Sequence, residues 1–188
     1  MRLLLATKNA HKLREFARLL PNEELDPLPD EAEAPEETGS TYAENALIKA
    51  RAAAHATGRV AIADDSGIEA EALGWAPGVR SARYAGERAT DEDNLAKLQR
   101  EAPAGSRARY VCVIAHVDPQ TGAVHLFEGR CAGTLSGQPR GTGGFGYDPL
   151  FVPDQVPGRT MAELSDADKD AISHRGNAAR ALLAWLRR

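Results

Sequence analysis

The chain has 188 residues, with 43% hydrophobic and 27% charged side chains and a formal net charge of −4. These values describe an ordinary soluble globular protein, long enough for one full core or for one domain split into two lobes. The acidic balance and an aromatic content of 5% argue against a broad nucleic-acid surface or a base-stacking platform.

The opening "MRLLLAT" is too short an apolar run for a signal peptide, and no segment approaches membrane-spanning length. Its "LLLAT" predicts a first strand. "AHKLREFARLL" follows with Leu13, Phe16, Ala17 and Leu20 at helical spacing. Between Pro21 and Thr38 lie eight acids, four prolines and no base, the composition of an exposed connector. "TYAENALIKARAAAHATG" predicts a second helix, with Thr41 and Glu44 as a capping box and Gly58 as its stop.

Val60 to Ala63 then read as a short buried strand, closed by a turn at Ser66-Gly67. "GWAPGVRSARYAG" is glycine-rich and irregular, and Thr90 to Asp93 cap a short helix through Leu95 and Leu98. "ARYVCVIAHVDPQTGAVHLFEGRCAG" predicts a β-hairpin turning through Asp118-Pro119 and Thr121-Gly122. Cys112 within it reads as a small buried hydrophobe. With Cys131 as the only other cysteine there is no CxxC site, and a reducing cytoplasm is the expectation. "GTGGFGYDPLFVP" predicts loop. Two helices close the chain, "AELSDADKDAI" and "SHRGNAARALLAWLRR", the second with an apolar stripe of Ala179, Leu182, Leu183 and Leu186. This order points to an α/β or α+β fold with a mixed sheet.

Four stretches carry candidate chemistry. In "ATKNAHK" a strand runs into a helix through Thr7 and Asn9, with Lys8 and Lys12 around the positive end of the helix dipole. Such an end suits phosphate, although a capped helix with solvated lysines looks the same in sequence. Asp64 and Asp65 are adjacent acids at the end of a strand. Extended backbone sends neighbouring side chains to opposite faces, so the two cannot share one role. Asp65 with Glu36 could supply the one or two carboxylates that Mg²⁺ takes beside substrate phosphates and water. Gly141, Gly143 and Gly146 match GxGxxG letter for letter, but Tyr147-Asp148-Pro149 follows where a dinucleotide fingerprint needs a helix. The loop instead offers the Phe145 ring beside the acceptor Asp148, a pairing that suits a stacked base. In "KDAISHRG", Ser173 can cap the last helix and place His174 and Arg175 in its first turn. There Arg175 opposes the helix dipole, a local conflict of the kind found at sites.

Together, "ATKNAHK", "EETG", "ADDSG", "APGVRSARYAG", "GTGGFGYDPLF" and "AELSDADKDAISHRG" resemble the inosine triphosphate pyrophosphatase family over essentially the whole chain. The resemblance implies one α/β domain over residues 1–188, with an elongated mixed β-sheet, flanking helices and two lobes around a central cleft. It also implies a cytoplasmic homodimer that binds neither nucleic acid nor membrane. The implied reaction is Mg²⁺-dependent hydrolysis of the purine nucleoside triphosphates ITP, dITP and XTP to the monophosphate and pyrophosphate, clearing deaminated purines from the nucleotide pool. Carried over by motif, Thr7, Lys8, Asn9, Ala10, His11 and Lys12 would hold the triphosphate, and Glu36 and Asp65 the metal. Asp65 would also accept the proton of the attacking water, and Ser66 would touch substrate. Phe145, Gly146, Tyr147, Asp148, Lys169, His174 and Arg175 would form the nucleoside pocket, with Lys49 and Arg83 as further phosphate contacts. Asp64 would point away and bond the turn's backbone. Lys8 departs from the family's usual small residue, and the connector before Glu36 has no clear match. A pyrophosphatase of different base preference would lack the "SHRG" donors, and a non-catalytic nucleotide-binding module would lack the two carboxylates.

Overall fold

In the computed structural model, residues 1–29, 31, 32 and 34–188 are described; Asp30 and Glu33 of the acidic connector lie outside them. Six strands form one mixed sheet in the order β2-β1-β3-β4-β5-β6. They are β1 (Arg2–Leu5), β2 (Glu24–Pro27), β3 (Ala61–Ala70), β4 (Arg107–Val117), β5 (Val124–Leu135) and β6 (Phe151–Pro153). Five helices accompany them: α1 (Ala10–Leu19), α2 (Tyr42–Thr57), α3 (Asp91–Glu101), α4 (Asp166–Ile172) and α5 (His174–Leu186). β1 pairs in parallel with both β2 and β3, while β5 and β6 are antiparallel.

The helix starts follow local chemistry. Thr41 and Thr90 each accept a bond from the third helical amide, and Glu44 and Asp93 return it, closing two capping boxes. Ser173 Oγ accepts from Gly176 N at 3.0 Å, the cap expected for the last helix. Its stripe also packs as expected, with Ala179 and Leu182 buried and Leu183 and Leu186 half-buried against the same core.

Three expectations change. Strand β3 does not stop at Ser66-Gly67 but runs on to Ala70, because Ile68 and Ala70 are themselves fully buried. The acidic connector contains an edge strand, β2. Its polar residues are recruited by a neighbour, since Arg2 and Arg59 both donate to Asp26, and Pro27 is tolerated at a sheet edge. The end of "GTGGFGYDPLFVP" is strand β6 rather than loop, since Phe151 to Pro153 pair with Gly133 to Leu135.

The chain forms two compact units. Unit 1 comprises residues 1–65, 112–129 and 177–188, and unit 2 residues 66–111 and 130–176. The first packs Leu3, Leu5, Phe16, Ile62, Ile114 and Leu182. The second packs Ile68, Leu98, Tyr110, Leu135, Phe151 and Met161.

His116 on β4 is 4% exposed, with the Trp185 ring edge-on at 4.8 Å between centroids. Burial, with help from His125 and against Asp118, holds its pKa below the ordinary 6.5. The folded protein therefore binds this proton less readily than the unfolded chain, and stability must fall as pH drops through and below about 6.5. The expected result is that His116→Leu shows a smaller fall in Tm between pH 7 and pH 5 than the wild type. Equal slopes would show that His116 does not contribute to the acid response.

Candidate active site

Asp64 and Asp65 are both buried within β3, and their carboxylates have different partners, as alternation along a strand requires. Asp64 takes Lys12 Nζ at 3.0 Å and the Cys112 thiol at 3.8 Å. Both of these partners are side chains, and the backbone at Asp64 is extended strand rather than the expected turn. Asp65 Oδ1 takes Lys49 Nζ at 3.4 Å, and Oδ2 takes the Asn45 amide at 3.2 Å. Lys49 also donates to Glu37 at 2.7 Å.

The electrostatics of this cluster have a clear sign. Burial raises the pKa of Asp65; Lys49, Lys12 and the Asn45 bond pull it down while Glu37 adds to the rise, and the net position is above the ordinary value. For Lys49, burial alone would lower the pKa. The charges of Asp65, Asp64 and Glu37 outweigh it and hold the ammonium above its usual value. The neighbouring cations thus offset only part of the cost of burying the Asp65 charge.

At the start of α1, Asn9 Oδ1 accepts from the amides of His11 at 2.9 Å and Lys12 at 3.2 Å, and Thr7 Oγ1 accepts from Asn9 N at 3.2 Å. Asn9 thus caps α1, as its place just before the helix allows, and takes up two of the amides at this end. Lys8, Asn9, Ala10 and His11 are exposed, and Thr7 and Lys12 half-buried. Glu36 is exposed, and the connector acid joined to the cluster is its neighbour Glu37.

No group of three or more His, Cys, Asp or Glu able to hold a metal occurs among the described residues. Mg²⁺ does not require such a group. This ion is held by one or two hard carboxylate oxygens and completes its octahedron with water and phosphate. Asp65, with its raised pKa, and the acids of the adjoining loop fit that chemistry.

Unit 2 carries the second cluster. Asp148 Oδ2 takes Lys169 Nζ at 2.6 Å and Phe145 N at 3.0 Å, and Oδ1 takes the Tyr110 hydroxyl at 3.1 Å. Three of about four acceptor positions on this carboxylate are therefore filled, and Asp148 is chiefly the hub that holds its loop and Lys169. The loop can close so tightly because residue 144 is glycine. A Cβ there, at φ +67°, would lie 2.0 Å from Asp148 Oδ2.

The Phe145 ring lies near two cations, Lys169 Nζ at 5.0 Å and Arg175 Cζ at 5.6 Å from its centroid. Arg175 is 2% exposed and donates to Ser66 Oγ at 2.8 Å, which helps to settle its conflict with the α5 dipole. His174 is stacked on Tyr110, with 4.5 Å between centroids and 8° between planes. Tyr147 instead turns its side chain into the core, where its hydroxyl donates to the Ser81 carbonyl at 2.6 Å. Gly146 N donates to Asp91 at 3.1 Å. Arg83 belongs to unit 2 and pairs with Glu87 at 3.8 Å.

Three members of these clusters were absent from the sequence reading: Glu37, Asn45 and Tyr110. Asn45 had a usable signal, since it lies four residues before Lys49 on a helix and thus on one face with it. Glu37 and Tyr110 had none, the first being one acid among eight and the second one aromatic in an alternating strand.

A mixed six-stranded sheet with flanking helices makes this an α/β protein. The chain belongs to the Ham1 family, whose model matches residues 3–185. It is similar to the dITP/XTP pyrophosphatase of Shigella flexneri, with 48% identity over 198 aligned positions that cover 99% of this chain and 98% of the relative. To the dITP/XTP pyrophosphatase of Symbiobacterium thermophilum it is 52% identical over 183 positions, covering 94% and 90%. Among solved structures, a HAM1 protein from Coxiella burnetii superposes with a TM-score of 0.87 at 42% identity, covering 100% of this chain and 98% of that one.

Proposed function

We propose that this protein hydrolyses the non-standard purine nucleoside triphosphates ITP, dITP and XTP to the monophosphate and pyrophosphate. The observation that carries the reading is Asp65, a buried carboxylate with a raised pKa, held by Lys49 and Asn45. The pyrophosphatase relatives support the substrate class.

In this reading the triphosphate falls to the start of α1 and the Asp65 cluster. Thr7 to Lys12 engage its oxygens, and Lys12 and Lys49 offset the negative charge that develops during transfer. Glu36 and Asp65 hold Mg²⁺, which when bound supplies Lewis-acid stabilisation of the phosphoryl oxygens. Asp65 positions the attacking water and takes its proton.

The base falls to the Phe145 loop, Lys169 and the start of α5. Phe145 provides the stacking face, while Lys169, His174 and Arg175 provide donors, with Ser66 contributing through Arg175. Donors match the 6-keto oxygen of hypoxanthine and xanthine. The amino group of adenine is itself a donor and cannot accept from them, and a mismatch of that kind can discriminate by about 10⁴–10⁵-fold. The protein acts as a cytoplasmic homodimer over its single domain.

Pyrophosphate release from ITP, XTP, dITP, GTP and ATP, with and without Mg²⁺, tests this. The expected order places ITP, XTP and dITP far above ATP, with no turnover in EDTA. Equal rates on ATP and ITP would overturn the base assignment.

A further inference from the structure

We infer that Asn45 is a positioning residue that fixes both the Asp65 carboxylate and the loop carrying Glu36 and Glu37. The inference rests on Asp65 being the catalytic carboxylate.

Asn45 is 0% exposed, inside the first turns of α2. A polar side chain buried that completely must have its bonds made, or it costs the fold heavily. Both ends of its amide are in use. The carbonyl oxygen accepts from Gly39 N at 2.8 Å, and the amide nitrogen donates to Asp65 Oδ2 at 3.2 Å. Gly39 N can only donate, so the amide can have only one orientation. That orientation puts N–H, never C=O, against the carboxylate.

The loop end is equally constrained. A Cβ on residue 39 would lie 2.6 Å from both Asn45 Oδ1 and Glu44 Cβ, so the backbone reaches Asn45 because residue 39 is glycine. Helix α2 is pinned close by, where Glu44 accepts from Ser40 N at 2.7 Å and Thr41 N at 3.1 Å. One side chain on a capped helix therefore joins the strand that bears Asp65 to the loop that bears the other two acids.

Lys49 lies one helical turn further along and takes the opposite oxygen, Oδ1, at 3.4 Å. Each oxygen of Asp65 thus receives one donor from α2, which sets the plane of the carboxylate. About one acceptor position on each oxygen remains for a metal ion or a water. Without Asn45 the carboxylate would keep its charge and its Lys49 contact but lose its fixed plane. Misplacing a catalytic group by about 1 Å can cost about 10²-fold.

The test compares Asn45→Ala with Asn45→Asp, Asp65→Asn and a stability control, Ala53→Gly, at a buried position on α2 away from the cluster. We expect Asn45→Ala to lower kcat for ITP 10- to 100-fold, with KM changed less than about threefold. Mn²⁺ affinity, read by electron paramagnetic resonance without nucleotide, should also weaken severalfold. Asn45→Asp has the same volume and still accepts from Gly39 N, but it turns an acceptor towards Asp65. Two buried carboxylates then face each other, so this variant should lower Tm and also lose kcat at pH 8 at least as severely as Asn45→Ala. Ala53→Gly should lower Tm and leave kcat and Mn²⁺ affinity unchanged.

If Asn45→Ala and Asn45→Asp keep wild-type kcat and Mn²⁺ affinity while Asp65→Asn is inactive, Asn45 is structural only and the inference is wrong. If Asp65→Asn itself stays active, the reading of Asp65 falls, and this inference falls with it.

Discussion

Asp65→Asn should fold with a Tm close to that of the wild type and lose kcat on ITP by about 10²–10⁴-fold, the usual contribution of a positioned acid or base. The substitution keeps the volume of the side chain, and its carbonyl can still accept from Asn45, so packing in β3 survives. What disappears is the charge that Lys49 and the proposed metal answer, together with the proton acceptor. Asp64→Asn is the informative contrast. Asp64 pairs with Lys12 and takes the Cys112 thiol, and truncating one side of a buried pair leaves the other without its counter-charge. Its main effect should be a lower Tm. If Asp65→Asn kept more than about a tenth of wild-type turnover, a barrier change under about 1.4 kcal/mol, the catalytic role would belong elsewhere. Steady-state kinetics alongside thermal melts of both variants decide between these outcomes.

Arg175→Ala should narrow the preference for ITP over ATP by about 10- to 100-fold, while Lys12→Ala should lower both substrates about equally. The proposed Arg175 contact with the keto oxygen is a charged hydrogen bond, worth about 1.5–3 kcal/mol, and only the keto bases have it to lose. Lys12 is assigned to phosphate, which ITP and ATP share. Both variants remove a buried or half-buried cation and will cost stability. The measured quantity is therefore a ratio of kcat/KM values within one preparation, which does not depend on the fraction folded. An unchanged ratio in Arg175→Ala, with a collapsed ratio in Lys12→Ala, would mean that the two ends of the substrate had been assigned the wrong way round.

The features legible in the sequence were those set by neighbours in the chain. Thr41 with Glu44 and Thr90 with Asp93 lie three residues apart and cap their helices whatever the rest of the chain does. That Asp64 and Asp65 would meet different partners was legible too, since it needs only the two-residue period of a strand. Strand β2 was not, because Glu24 to Pro27 has little strand character of its own and is ordered by β1 and by arginines at positions 2 and 59. The length of β3 was missed for a related reason. Ser66-Gly67 reads as a turn until the burial of Ile68 and Ala70 is known. In the site, single charged residues beside a strand end or helix start could be named. Pairings such as Glu37 with Lys49, Asn45 with Asp65, and Tyr110 with both Asp148 and His174 join residues distant in the chain, and no local pattern encodes them.

Hydrolysis at the α-phosphorus, with Asp65 as the base, yields a different pair of products from attack at any other phosphorus. Phosphorus NMR of a reaction with ITP, Mg²⁺ and the wild-type protein should show IMP and pyrophosphate arising together in equal amounts from the first turnover. IDP and inorganic phosphate as first products would place the attacking water at the γ-phosphorus and contradict the account.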